Sequence, residues 1–316
     1  MDIGYHASHE QFPPSELLAL ALHAEAAGFG AIHSSDHLAP FSERQGQSGF
    51  AWSWLGSAMA LTSLPYGVVS APGQRYHPVV LAQAIATVAE MWPGRLTVAL
   101  GSGQALNEHV TGDVWPRKPV RNARLRECAD ILRRLLAGET ADADGLVRVR
   151  AAQLYSRPAH TPDLFAAALS PATAREVGAW ADGLITVHCP DLPTVVEAFR
   201  EGGGAGKPVH VQVHLSWAET QDEVEAQALD QWRINALPPN LNEELELPAQ
   251  FDAASEYIPV SALTDSVVLS SDLGRHAEVL AGCAELGVER VYLHQVGRDQ
   301  AAFLDAFGAK VLPQFA

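Results

Sequence analysis

The chain has 316 residues, 47% of them hydrophobic and 18% charged, with a formal net charge of −16 at pH 7. That balance excludes a disordered chain, and no uninterrupted apolar run is long enough to cross a bilayer, so a soluble globular protein with a sizeable core and no membrane partner is expected. An acidic chain without a basic tract has nothing with which to displace counterions from a phosphate backbone, which excludes DNA and RNA and leaves a small-molecule substrate.

Short apolar runs alternate with helical periodicity along the whole chain. Residues 3–7 lead into 14–27, where Leu17, Leu18, Ala21, Ala24 and Ala27 share one face. Further pairs follow at 31–35 with 53–63, 67–71 with 78–91, and 96–101 with 122–137. A polar connection with turn and strand signals covers 141–158. The alternation then resumes with 164–168 and 172–180, 183–187 and 193–200, 209–216 and 221–232, and finally 291–295 and 301–311. The eight βα units and their apolar strands predict a (β/α)8 TIM barrel in a single domain over 1–316 rather than an open sheet. No Gly-x-Gly-x-x-Gly turn follows the first strand, against a Rossmann fold. Residues 233–272, rich in Pro, Asn, Glu and Ala, form an insertion expected to lie over the barrel mouth.

Met1-Asp2-Ile3-Gly4-Tyr5 has no basic region leading into an apolar stretch, so a cytoplasmic location is expected. Cys128, Cys189 and Cys283 are far apart and odd in number, which suggests reduced thiols rather than a disulfide framework. Lysine occurs only at 118, 207 and 310, so a phosphorylated ligand must rest on arginine, hydroxyls or helix N-termini.

Barrel enzymes build their sites where the strands end. This layout collects Glu10, Asp36, His37, Ser70, Gln104 and Asn107 at that rim, with Ser170, His188, Trp217 and His294. In Asp36-His37 a carboxylate adjoins an imidazole that it can orient as a general base near neutral pH; spacing alone equally allows a helix N-cap Asp with an exposed His. Gly101-Ser102-Gly103-Gln104 allows close approach of backbone to a flat ligand, or an ordinary tight turn. Arg75, in a polar and proline-punctuated connection, is either a pocket residue or a surface charge paired with an acid. Ser170 reads as an N-cap with Pro171 at the first helical position, a helix start that suits a phosphate or simply caps itself. No metal-ligand spacing surrounds His188 or His294, so no metal site is expected.

Several motifs occur in order from end to end: Ala-Ser-x-Glu-Gln-Phe within residues 5–12, Ser35-Asp36-His37, Ser53-Trp54, Arg75-Tyr76-x-Pro78, Ala105-Leu106-Asn107-Glu108, Ala181-Asp182-Gly183 and Gly297-x-Asp299-Gln300. With them the whole chain resembles the luciferase-like flavin oxidoreductase superfamily, specifically its branch of deazaflavin-dependent glucose-6-phosphate dehydrogenases. The resemblance implies a ring bound beside Asp36, Val69, Ser70, Gly103 and Asn107, and a non-proline cis peptide near Val68-Val69. His37 matches the histidine that takes the substrate hydroxyl proton, with Glu10 nearby. The cofactor phosphate would rest on Leu169, Ser170, Pro171 and Ala172, with Arg75. Phe41, Trp54, His188, Trp217 and His294 would wall the substrate pocket.

Three departures matter. Gln104 stands where those enzymes have a catalytic glutamate and cannot transfer a proton at neutral pH. Phe41 replaces a tryptophan. The lysines and arginine that grip the sugar phosphate have no counterparts in Thr186-Val187-His188-Cys189-Pro190, Phe251-Asp252-Ala253-Ala254 or Asp265-Ser266-Val267, so glucose 6-phosphate is not expected as substrate. The stretches Gln-Phe-Pro-Pro-Ser-Glu-Leu-Leu and Arg-Gln-Gly-Gln-Ser-Gly-Phe-Ala-Trp-Ser-Trp-Leu-Gly resemble a subgroup that uses ordinary flavin. The expectation is therefore an FMN-dependent oxidoreductase or monooxygenase, homodimeric, with NAD(P)H or a flavin reductase as electron source. The alternatives are a dehydrogenase of alcohols or sugars using the deazaflavin coenzyme F420, and a flavin-binding barrel without catalysis.

Overall fold

A computed structural model describes residues 1–315. Eight parallel strands close on themselves in the order β1 (Asp2–Ala7), β2 (Ala31–Ser34), β3 (Tyr66–Ser70), β4 (Leu96–Leu100), β7 (Leu164–Ala167), β8 (Leu184–Val187), β9 (Val209–Ser216) and β11 (Arg290–Gln295), with β11 pairing back onto β1. This is the expected (β/α)8 barrel. The polar connection holds an antiparallel hairpin, β5 (Ala141–Asp144) with β6 (Arg148–Ala152), outside the barrel. A two-residue strand, β10 (Val268–Leu269), pairs with β9 as well.

The outer ring contains α1 (Pro14–Ala26), α2 (Ala51–Leu61), α3 (Pro78–Met91) and α5 (Lys118–Leu136), with the short α4 (Ala105–Glu108) above β4. It continues with α6 (Pro171–Gly178), α7 (Leu192–Phe199) and α8 (Gln221–Trp232). The insertion over 233–272 holds α9 (Pro239–Glu244) and α10 (Pro248–Ser255), and α11 (Leu273–Glu285) and α12 (Gln300–Lys310) flank β11. The start of α5 lies four residues before the expected Asn122 because Pro119 occupies its first turn, where a missing N–H is harmless. The sequence reading left α11 unassigned, although Asp272 caps it by accepting from the Gly274 N–H at 2.8 Å. No described helix is long and apolar enough to cross a membrane.

Two packing layers follow from strand alternation. Outward-facing residues such as Tyr5, Ile32, Val68 and Val98 meet the helices, and each fully buried aliphatic or aromatic side chain contributes about 1.5–3 kcal/mol there. The inner face carries a small apolar cluster of Ala31, Ala99, Phe165, Ile185 and Tyr292, but the rest of it is not apolar. Five of the 13 histidines, His6, His33, His210, His214 and His294, line the barrel interior. Ladder register makes them neighbours: His6 is level with His33, and His214 with His294. Burial keeps them neutral, pushing His33 and His210 down to about 3, His214 down to about 4, and His6 and His294 well below the ordinary imidazole range.

Close backbone packing joins α6 to the segment after α7. A Cβ on Gly202 would lie 2.0 Å from the Arg175 carbonyl oxygen, which cannot yield, whereas one on the exposed Gly282 of α11 meets nothing within 4 Å. Gly202→Ala is therefore expected to lower unfolding stability by ~3 kcal/mol through overpacking, and Gly282→Ala to raise it by ~0.5–1 kcal/mol through helix propensity. Urea denaturation of the two variants checks both signs.

Candidate active site

The C-terminal strand ends open into a cavity of ≈ 650 Å³, walled also by Ile234, Leu237 and Asn242 of the insertion. At its rim Nδ1 of His37 lies 2.5 Å from Oε1 of Glu10. The other carboxylate oxygen of Glu10 accepts from the hydroxyls of Ser8 and Ser35, both at 2.9 Å, and only 2% of the Glu10 side chain is exposed. Burial works to raise its pKa, but the charge of His37 and the contact with it hold the carboxyl well below the ordinary range. The imidazole is further fixed by an edge-on contact with Phe41 at 5.1 Å, and its Nε2 has no partner among the described residues. A histidine tied at Nδ1 to a carboxylate and open at Nε2 can take a proton from a substrate hydroxyl and return it.

The acid that orients His37 is thus Glu10, not the adjacent Asp36. In extended backbone, neighbouring side chains diverge to opposite sides. Asp36 caps no helix either. Its carboxylate accepts from Ser70 Oγ at 2.5 Å, from the Tyr76 hydroxyl at 2.9 Å and from Arg75 at 3.3 Å. Arg75 also donates to the Asp36 carbonyl at 2.8 Å, lies 3.8 Å from Glu108 and stacks on the Tyr76 ring. It is a largely buried tie between two acids at the cavity wall rather than a surface charge.

Val69, Gly101 and Ala167 line the cavity side by side: a Cβ on Gly101 would lie 3.8 Å from Val69 and 3.9 Å from Ala167. Gly103 beside them adopts φ +83°, which favours glycine. Asn107 accepts from the Leu38 N–H at 2.8 Å, holding the loop after β2, while its Nδ2 has no partner among the described residues. Gln104 precedes α4 and lines the cavity without capping that helix. Leu169 and Ser170 line the cavity, whereas Pro171 and Ala172 do not, and the Ser170 hydroxyl caps α6 by accepting from Thr173 N–H at 3.3 Å.

His188 and His294 line the cavity as expected. Trp54 and Trp217 do not: their indoles donate to the carbonyls of Pro14 and Ser271, and they pack outside the barrel, against Tyr66 and Phe307 respectively. The non-proline cis peptide is absent, since no peptide bond among the described residues is cis and β3 keeps its ladder register through Ser70. The sequence reading missed Ser8 and Ser35, which hold Glu10, and missed His6, Gln212, His214 and Trp232 in the cavity wall. Inward alternation along the strands was the signal that marks the first three of those wall residues.

The family profile described as luciferase-like monooxygenase matches residues 1–290. The chain belongs to that family. It is a luciferase-like oxidoreductase, of the class that works with a flavin or deazaflavin. The chain is 35% identical to an F420-dependent glucose-6-phosphate dehydrogenase of Nakamurella multipartita over 98% of its length and 95% of the relative's. Among solved structures, an F420-dependent secondary alcohol dehydrogenase in complex with an F420-acetone adduct superposes with TM-score 0.90 at 26% identity, covering 100% of this chain and 99% of the other. The F420-dependent tetrahydromethanopterin reductase of Methanopyrus kandleri shares the fold, with TM-score 0.80 at 19% identity over 100% and 99% of the two chains.

Proposed function

We propose that this luciferase-like oxidoreductase is an alcohol dehydrogenase using the deazaflavin coenzyme F420, acting on an uncharged substrate. The observation that carries the reading is the Glu10–His37 pair at the rim of a cavity in which every cation already has an acid partner: Arg75 with Asp36 and Glu108, and Lys118 with Glu243 at 2.6 Å. Such a site offers no grip for a sugar phosphate. The similar proteins of known activity support the deazaflavin over the FMN expected from sequence.

The residues fit a flat tricyclic ring. Val69, Gly101 and Ala167 would supply a wall without bulky side chains, and the Nδ2 of Asn107, which has no partner among the described residues, would supply a donor. When bound, the deazaflavin supplies a two-electron hydride acceptor. His37 would take the proton from the substrate hydroxyl at Nε2 while the carbon bearing that hydroxyl gives up its hydride, so that the C–O bond becomes a carbonyl and no further oxidant is needed for that half-reaction. Glu10 carries the balancing negative charge and fixes the ring plane. Gln104 can donate to the carbonyl product but not protonate it, so the reverse reaction also depends on His37.

The test is cofactor choice in the purified protein. Coenzyme F420 is expected to bind stoichiometrically, and its visible absorbance to be lost when a secondary alcohol is added, with no requirement for NAD(P)H. Stoichiometric binding of FMN with none of F420 would return the reading to an FMN enzyme.

A further inference from the structure

The inner end of the cavity is built from side chains to which the Glu10–His37 chemistry gives no work. Gln11 donates through Nε2 to the Val296 carbonyl at 2.8 Å, which fixes its amide so that Oε1 faces His294 Nε2 at 3.1 Å. That oxygen can only accept, so His294 carries its proton on Nε2 and accepts at Nδ1. Gln212 lies 3.3 Å from that Nδ1 and 3.2 Å from Nε2 of His214, and therefore donates through Nε2 to both. His214 in turn carries its proton on Nδ1. Neither that N–H nor Oε1 of Gln212 has a partner among the described residues, and His214, only 8% exposed, lines the cavity.

A donor and an acceptor are thus left open on neighbouring positions of one strand. A hydroxyl satisfies both at once. A carboxylate or phosphate satisfies only the N–H and sets its charge against Oε1, and an ammonium does the reverse. Burial keeps the imidazoles of this wall neutral, so no positive charge compensates an anion there. Between this corner and His37 runs an aromatic wall, with Phe41 5.1 Å from His37 and 6.4 Å from Trp232, and Trp232 5.4 Å from His214 by ring centroids.

We infer that His214 and Gln212 form a hydroxyl-recognition subsite, so that the substrate is an uncharged diol or polyol whose second hydroxyl docks there while the first reacts at His37. The substrate class rests on the dehydrogenase reading; the subsite itself is read by binding. Glucose, cyclohexanol and glucose 6-phosphate are titrated into the full-length protein while the histidine ring resonances are followed.

The expected results are that His214→Phe and Gln212→Met each weaken glucose about tenfold, the effect of about one buried hydrogen bond, and leave cyclohexanol within about twofold. Glucose 6-phosphate is expected to bind the unaltered protein at least about tenfold more weakly than glucose, since a buried anion there finds no counter-charge. Equal losses for glucose and cyclohexanol, no loss for glucose, or glucose 6-phosphate binding as tightly as glucose would overturn the subsite. Using two variants guards against one that misfolds. Glucose binding with this selectivity, but without F420-linked oxidation of any alcohol offered, supports the subsite and overturns the dehydrogenase reading instead.

Discussion

Replacing His37 by alanine lowers kcat by about 10²- to 10⁴-fold, the range that a positioned general base contributes, while F420 binding stays within about twofold. The asymmetry follows from geometry, because His37 lines the cavity with its Nε2 unpartnered, whereas the wall of Val69, Gly101 and Ala167 does not involve the imidazole. Glu10→Gln keeps an acceptor for Nδ1 but removes the negative charge that balances an imidazolium. Its kcat is expected to fall by about 10- to 100-fold, less than that of the alanine variant. Added imidazole, small enough for the vacated space, should restore part of the turnover of His37→Ala and none of that of Glu10→Gln. Rates of F420 reduction under single-turnover conditions check all three. An unchanged rate in His37→Ala would leave the Glu10–His37 pair with a structural role only.

Acid is expected to unfold this protein early and cooperatively. His6, His33, His210, His214 and His294 have native pKa values depressed by burial, His33 and His210 to about 3, His214 to about 4, and His6 and His294 well below the ordinary range. Their unfolded values lie near the ordinary ~6.5. Below that pH the unfolded chain binds more protons than the native one, so the stability these groups contribute is fully present above about pH 6.5 and is lost as the pH falls towards their native values. At pH 5.5 each costs on the order of 1 kcal/mol relative to neutrality, and the five together cost several kcal/mol, a large part of the whole margin of a typical domain. Glu10 acts in the same direction at lower pH, because its native pKa is depressed too. Urea midpoints should therefore fall steeply between pH 7 and 5. His210→Phe, which removes one such group near the barrel floor, should flatten that slope by about one proton. A midpoint independent of pH over that range would refute the account.

The sequence by itself determined the architecture and the rim. Helical and strand periodicities are local, so eight βα units, the closed barrel and the insertion between α8 and α11 were legible from spacing, as was the placing of His37 at a strand end. Local caps were legible as well: Ser170 caps α6 as its position suggested. Tertiary structure decided which side chains meet. Glu10 rather than Asp36 holds His37, since the partner comes from the loop after β1 and no spacing within β2 encodes it. Arg75 is consumed by Asp36 and Glu108, which lie 39 residues before it and 33 after it in the chain.

The interior histidines make the same point. Each looks unremarkable in its own strand, and only the ladder register that sets His6 beside His33 and His214 beside His294 turns them into a buried neutral network. Periodicity fixes the face on which a side chain stands. Closure of the barrel fixes its neighbours, because register depends on how all eight strands pack at once.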